Sequence, residues 1–132
     1  MPWVYEIING RISEDNVTLT IAYSGHPPHV NDPAAVDIPN VGPLPRGGYT
    51  ISGLEQSPNT GPDTLILIPD PDNEMFGRSL FRIHGDDIHE PGQHCASDGC
   101  IVADHDARMI MWHSDDKRLE VVDTLKVERD YW

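Results

Sequence analysis

A chain of 132 residues has room for one domain around one hydrophobic core. Its 9 Lys and Arg stand against 22 Asp and Glu, a formal charge of −13, and no basic run supplies the counterion-displacing face that nucleic acid or an anionic membrane surface requires. No stretch is long and apolar enough to cross a bilayer, and the opening Met1-Pro2-Trp3-Val4-Tyr5-Glu6 lacks the basic-then-apolar pattern of a signal peptide, so export is expected to use another route.

Residues 17–23 alternate apolar with small or polar side chains, the period of a half-buried strand, and residues 3–8 read the same way. With Asn9-Gly10 as the turn, the two predict an N-terminal β-hairpin. Ser24-Gly25-His26-Pro27-Pro28 then opens a Pro- and Asn-bearing stretch to Pro39, expected as a long surface loop. Gly42-Pro43-Leu44-Pro45 leads into a short strand at Tyr49-Thr50-Ile51. The apolar run Thr64-Leu65-Ile66-Leu67-Ile68, closed by Pro69, predicts a strand buried on both faces. Residues 79–84 form the next strand, with Leu80, Arg82 and His84 on one face and Phe81 and Ile83 on the other. Residues 85–99 are Gly-, Asp- and His-rich without periodicity and read as a loop leading to Cys100. A short helix over residues 104–113 is expected to bury Ala107, Ile110 and Met111, and strands at 118–122 and 126–127 close the sheet. Many short strands with one helix, and no repeats or linkers, predict a single mostly-β domain over residues 1–132.

The chemistry concentrates in Phe81-Arg82-Ile83-His84-Gly85 and in Ala96-Ser97-Asp98-Gly99-Cys100-Ile101. The two cysteines, Cys95 and Cys100, are too few and too close together for a disulfide framework, so Cys100 reads as a reactive group. A thiol attacks a carbonyl as thiolate, and in a chain this acidic it needs a neighbouring base, for which His84 is the candidate. Gly99 leaves the backbone before the thiol uncrowded, so the Gly99 and Cys100 amides could face a developing oxyanion, with Ser97 bracing the turn or touching substrate. In papain-like proteases the cysteine precedes its histidine by a long interval, whereas here His84 comes 16 positions before Cys100.

His84-Gly85, a loop, then Ser97-Asp98-Gly99-Cys100-Ile101 resembles the His…Ser-x-Gly-Cys signature of the L,D-transpeptidase catalytic domain. Tyr23-Ser24-Gly25, the segment from Gly42-Pro43-Leu44-Pro45 to Tyr49, and Met75-Phe76-Gly77-Arg78 extend the resemblance to the compact subset that includes type VI secretion effectors. It implies an L,D-transpeptidase-like β-sandwich or barrel, with its one short helix after the catalytic cysteine and its site in a groove. It also implies a Cys100–His84 pair whose histidine is oriented by a backbone carbonyl. No cofactor or metal is implied. The implied substrate is a tetrapeptide stem of peptidoglycan: the thiolate displaces D-alanine, and water, an amine or a D-amino acid resolves the acyl-enzyme. The implied setting is the periplasm or cell wall after secretion by a dedicated system, with an immunity protein as partner and a monomeric enzyme.

Val102 stands where many family members carry Arg, so the anchor for a substrate carboxylate must come from elsewhere: Arg82, on the face of His84, or Arg78 in reserve. Gly85 and Tyr23, in the matching motifs, are placed with them on the substrate side. Cys95 is a second departure, read as a small packing residue or as a partner for an oxidised Cys100. The rival readings are a zinc module built from His84, His89, His94, Cys95, Cys100 and His105, whose spacing fits no paired-cysteine knuckle, and a non-catalytic wall-binding protein. The acidic residues Asp86, Asp87 and Glu90 read as a solvated loop in preference to a receptor for a diaminopimelate amine.

Overall fold

The computed structural model describes residues 2–58, 60–86 and 99–125. The N-terminal strands form an antiparallel meander of β1 (Trp3–Glu6), β2 (Arg11–Glu14) and β3 (Val17–Ile21). The expected hairpin of residues 3–8 with 17–23 is therefore corrected: β2 lies between its two strands. Arg11-Ile12-Ser13-Glu14 carries one large apolar residue, too weak a pattern to read, yet Ile12 is fully buried. Asp15 and Asn16, both in the left-handed region at φ 51 and 65, form the two-residue turn that joins β2 to β3.

The remaining elements are β4 (Tyr23–Ser24), a 3₁₀ turn at Pro33–Ala35, β5 (Gly47–Ser57), β6 (Gly61–Pro69), β7 (Arg82–His84), β8 (Ile101–Val102), α1 (His105–His113) and β9 (Arg118–Val122). The strands make one open mixed sheet in the order β3-β2-β1-β9-β5-β6-β7-β8-β4, parallel at β1·β9 and β7·β8. The edge strands β3 and β4 are joined through Ala22 alone, whose N–H donates to the Gly10 carbonyl at 2.7 Å. The sheet must therefore curl until its two edges come near each other. Its concave face collects Tyr5, Tyr49, Ile51, Leu65, Ile83 and Leu119, to which α1 adds Met111.

Three local expectations change. In β6, Leu65 and Leu67 are buried but Ile68 is 51% exposed, so the run is buried on one face only. The strand expected from residue 79 begins only at Arg82, since Leu80 adopts φ 66 and cannot continue a pleat. On α1 the buried residues are Ala107, Arg108 and Met111 while Ile110 faces outward. Arg108 is buried because its Nη1 donates to the Ala103 carbonyl at 2.7 Å and its Nε to that of Asp63 at 3.1 Å. Asp104 caps α1, accepting from the Ala107 N–H at 3.1 Å and from Thr20 Oγ1 at 2.6 Å. Burial pushes that carboxyl up, but these bonds outweigh it and hold the group below its usual value. The strand expected at 126–127 lies outside the described residues.

Candidate active site

β7 and β8 run side by side in the same direction, with Ile83 opposite Ile101 and His84 opposite Val102. Ile83 and Ile101 are both fully buried, which locks the register: a slip by one residue would turn both out of the core. Gly85 leaves β7 just where the sequence pattern ends it, and Cys100 stands one residue before β8. The pairing thus brings His84 beside Val102, two residues past Cys100, although 16 positions separate His84 from Cys100 in the chain.

His84 is 95% buried, at 5% exposure, and its Nδ1 lies 2.8 Å from the Gly85 carbonyl oxygen. A carbonyl only accepts, so Nδ1 carries the hydrogen and Nε2 is the basic nitrogen of the neutral ring. Cys100 is half-buried, and its Sγ lies 3.9 Å from the Leu80 carbonyl. The left-handed conformation of Leu80 accompanies that orientation, and its side chain stands 78% exposed at the rim.

Gly99 adopts φ 127, a conformation L side chains rarely take. A Cβ there would run into the Arg78 guanidinium and lie 2.9 Å from the Phe81 ring. Arg78 is braced by the loop before β5: Nη1 donates to the carbonyls of Val36 at 2.5 Å and Pro43 at 2.8 Å, and Nη2 to that of Gly42 at 2.9 Å. It also lies over the Phe81 ring, 5.2 Å from the centroid. Burial pushes the guanidinium below its usual value, and attraction to Tyr49, Cys100 and Asp37 acts in the opposite direction. Arg78 is thus a neighbour of the sulfur.

Arg82 turns outward and donates through Nε to Glu55 at 2.8 Å. Tyr23 is buried in β4 opposite Val102, and its hydroxyl donates to Asp86 Oδ1 at 2.8 Å. Gly85 has Arg108 behind it, where a Cβ would meet Nη1 at 3.0 Å. Ser97 lies outside the described residues, as do Asp87, His89, Glu90, His94 and Cys95. Among the described residues no group of three or more His, Cys, Asp or Glu side chains could hold a metal ion.

Two hollows open at opposite ends of the β7–β8 pair. One of about 290 Å³ is bounded by Pro39, Asn40, Arg78, Leu80 and Phe81, ahead of β7. The other, about 530 Å³, is bounded by Tyr23, Gly85, Asp86, Asp104 and Arg108, beyond it. The first has the Arg78 guanidinium in its wall, and the second has Asp86 and Asp104 together with His105 and Arg108.

One buried residue had no role assigned from sequence. Ser24, fully buried in β4, donates from Oγ to the Gly99 carbonyl at 3.0 Å and accepts from the Leu44 N–H at 2.8 Å. Its only signal in the sequence was its place between Tyr23 and Gly25.

Among the described residues no helix is long and apolar enough to cross a membrane. No curated protein and no solved structure matches the chain. The Tlde1 domain matches residues 19–127, a span that takes in β4, the Arg78 segment, His84 and Cys100. The chain belongs to the Tlde1 domain family, L,D-transpeptidase-like effectors of the type VI secretion system that modify peptidoglycan.

Proposed function

We propose that the protein is a cysteine acyltransferase acting on tetrapeptide stems of peptidoglycan, with Cys100 as nucleophile and His84 as general base. The observation that carries the reading is the parallel register of β7 and β8, which pairs His84 with Val102, two residues past Cys100. In this reading His84 Nε2 takes the proton of Cys100 Sγ. The sulfur then forms a bond to the carbonyl carbon that links diaminopimelate to D-alanine, and the carbonyl oxygen becomes an oxyanion facing the Gly99 and Cys100 N–H groups. When the carbon–nitrogen bond breaks, His84 returns the proton to the amine of the departing D-alanine, leaving a thioester. Water, a stem amine or a free D-amino acid then attacks the thioester, giving carboxypeptidase, cross-linking or exchange activity, and the thiol is restored.

The two hollows suit a chain laid across the strands. The wall of the smaller, with Arg78, suits the terminal carboxylate of the stem, and the larger, which holds both signs of charge in Asp86, Asp104 and Arg108, suits the zwitterionic end of the diaminopimelate side chain. Arg78 lines the smaller hollow and Arg82 lines neither, which makes Arg78 the better placed of the two candidate anchors. Ser97 is retained as a support of the turn before Gly99. We propose further that the enzyme acts in the periplasm of a rival cell, and that the producing cell protects itself with an immunity protein.

Digestion of defined tetrapeptide muropeptides, read by mass spectrometry, tests the reading. The wild-type protein is expected to shorten stems to tripeptides or exchange their terminal residue. Cys100→Ala should do neither, and His84→Ala should lose roughly 10²- to 10⁴-fold in rate. A Cys100→Ala protein that still consumed tetrapeptide would end the proposal.

A further inference from the structure

Ser24 joins three segments that are distant in sequence. It sits on β4, its hydroxyl accepts from Leu44 in the loop before β5, and the same hydroxyl donates to Gly99, 75 positions away. Its backbone is occupied as well: the N–H donates to Asn31 Oδ1 at 3.1 Å, and the carbonyl accepts from the Asn31 N–H at 2.8 Å. The residue therefore cannot turn without breaking several bonds inside a fully buried site.

The carbonyl it holds belongs to the peptide between Gly99 and Cys100. That peptide is planar, so the Gly99 C=O and the Cys100 N–H point in opposite directions, and fixing one fixes the other. Glycine tolerates a wide range of backbone angles, so Gly99 alone does not choose between the two faces of this peptide. The choice is made by what meets the carbonyl. A carbonyl held by the Ser24 hydroxyl therefore turns the Cys100 N–H away from Ser24. The Leu44 bond matters too. It belongs to the loop whose Gly42 and Pro43 carbonyls hold Arg78, and Arg78 in turn packs against Gly99. Ser24 thus closes a brace that holds the turn from two sides.

We infer that Ser24 is a positioning residue for acyl transfer: its hydroxyl sets the plane of the Gly99–Cys100 peptide and so aims the Cys100 N–H at the oxyanion. This rests on Cys100 being the nucleophile. Its distinctive consequence is a split between two reactions of the same sulfur. Attack on a stem carbonyl builds an oxyanion and needs the aimed donor. Displacement of iodide from iodoacetamide builds none and needs only an accessible thiolate.

The test compares both rates in Ser24→Ala, Ser24→Thr and wild type, with alkylation assigned to Cys100 by peptide mapping so that Cys95 does not contribute. For Ser24→Ala, kcat on the tetrapeptide muropeptide is expected to fall about 10- to 100-fold, with KM and the Cys100 alkylation rate within about twofold of wild type. Ser24→Thr keeps the hydroxyl and is expected to retain kcat within roughly threefold. If Ser24→Ala fails to melt cooperatively, Ser24→Cys in reducing buffer, which fills the same space with a weak donor, carries the same comparison with a smaller fall in kcat. The inference is overturned if kcat is unchanged in the variant that folds, or if alkylation falls in step with kcat. Cys100→Ala, run alongside, separates the two levels: activity in that variant defeats the nucleophile assignment, whereas a dead Cys100→Ala beside a fully active Ser24→Ala defeats only the role of Ser24.

Discussion

Replacing Gly99 by alanine perturbs the site by a single methyl group, and the structure gives the size of the effect. At φ 127 an L residue is strained whatever space surrounds it, a term of about 1–3 kcal/mol. The added Cβ would also lie 2.9 Å from the Phe81 ring and 3.3 Å from the Gly42 carbonyl, and would overlap the Arg78 guanidinium. Phe81 is in the core and Arg78 is tied to three carbonyls, so neither neighbour can yield freely. Overpacking of this kind costs about 1–3 kcal/mol. Together the two terms remove roughly 2–6 kcal/mol from a domain whose total stability is of order 5–15 kcal/mol. Gly99→Ala should therefore fold but unfold at markedly lower urea, and its rate on tetrapeptide should fall by more than its stability alone explains, because the turn beside Cys100 is displaced. The assay is urea denaturation paired with muropeptide digestion under conditions in which the variant is still folded. A midpoint and a rate both equal to wild type would refute the packing argument and the assignment of the turn together.

Arg78→Lys keeps the charge but lacks the fork, and one ammonium on a flexible stem cannot satisfy the carbonyls of Val36, Gly42 and Pro43 together. A loss of about 1–3 kcal/mol in urea denaturation is expected, and the pH at which Cys100 is alkylated should rise in Arg78→Met but little in Arg78→Lys. Glu6 is buried in β1 and accepts from Arg11, Asn9, Thr124 and the Leu125 N–H. Burial pushes its carboxyl up, but these bonds prevail and hold it below the usual range of a glutamate. Its contribution is therefore full above about pH 4.5 and is lost as pH falls through the lowered folded value, so Glu6→Gln should flatten the acid limb of the stability–pH curve. An unchanged acid limb in thermal melts across that range would contradict this.

Elements whose signal is local were legible. The strand at 118–122 and the helix capped by Asp104 stand where the pattern put them, because alternation and an acidic cap are properties of adjacent residues. What escaped was set by distant partners. β2 is a strand because β1 and β3 flank it, and its own residues barely alternate. Arg108 turns inward, and Ile110 outward, because Ala103 and Asp63 offer carbonyls on that side of α1. In the site, the His-then-Cys order drew attention to His84 and Cys100, and the core pair Ile83 and Ile101 explains why His84 lies beside Val102, two residues past Cys100. The bond from Ser24 to Gly99 could not be read from any window of sequence, since it spans 75 positions and is made by a hydroxyl that elsewhere would face water.

The electrostatic difficulty of placing a thiolate in a chain of net charge −13 finds a local answer. The long-range field of so many carboxylates is screened by salt within roughly 8–10 Å, so it opposes the thiolate only weakly at that distance. A cation in the immediate surroundings, partly shielded from water, acts with far less screening. Arg78 is such a cation: it is half-buried, backbone carbonyls of three residues fix its position near the sulfur, and the Asp37 carboxylate offsets part of its charge. The loop of residues 36–43 thus fixes the position of a positive charge near the sulfur. Adding a further carboxylate to these surroundings, with Asn40→Asp at the rim of the smaller hollow, should slow alkylation of Cys100 at neutral pH while leaving the fold intact. A rate unchanged or raised in that variant would show that the thiolate depends on His84 alone.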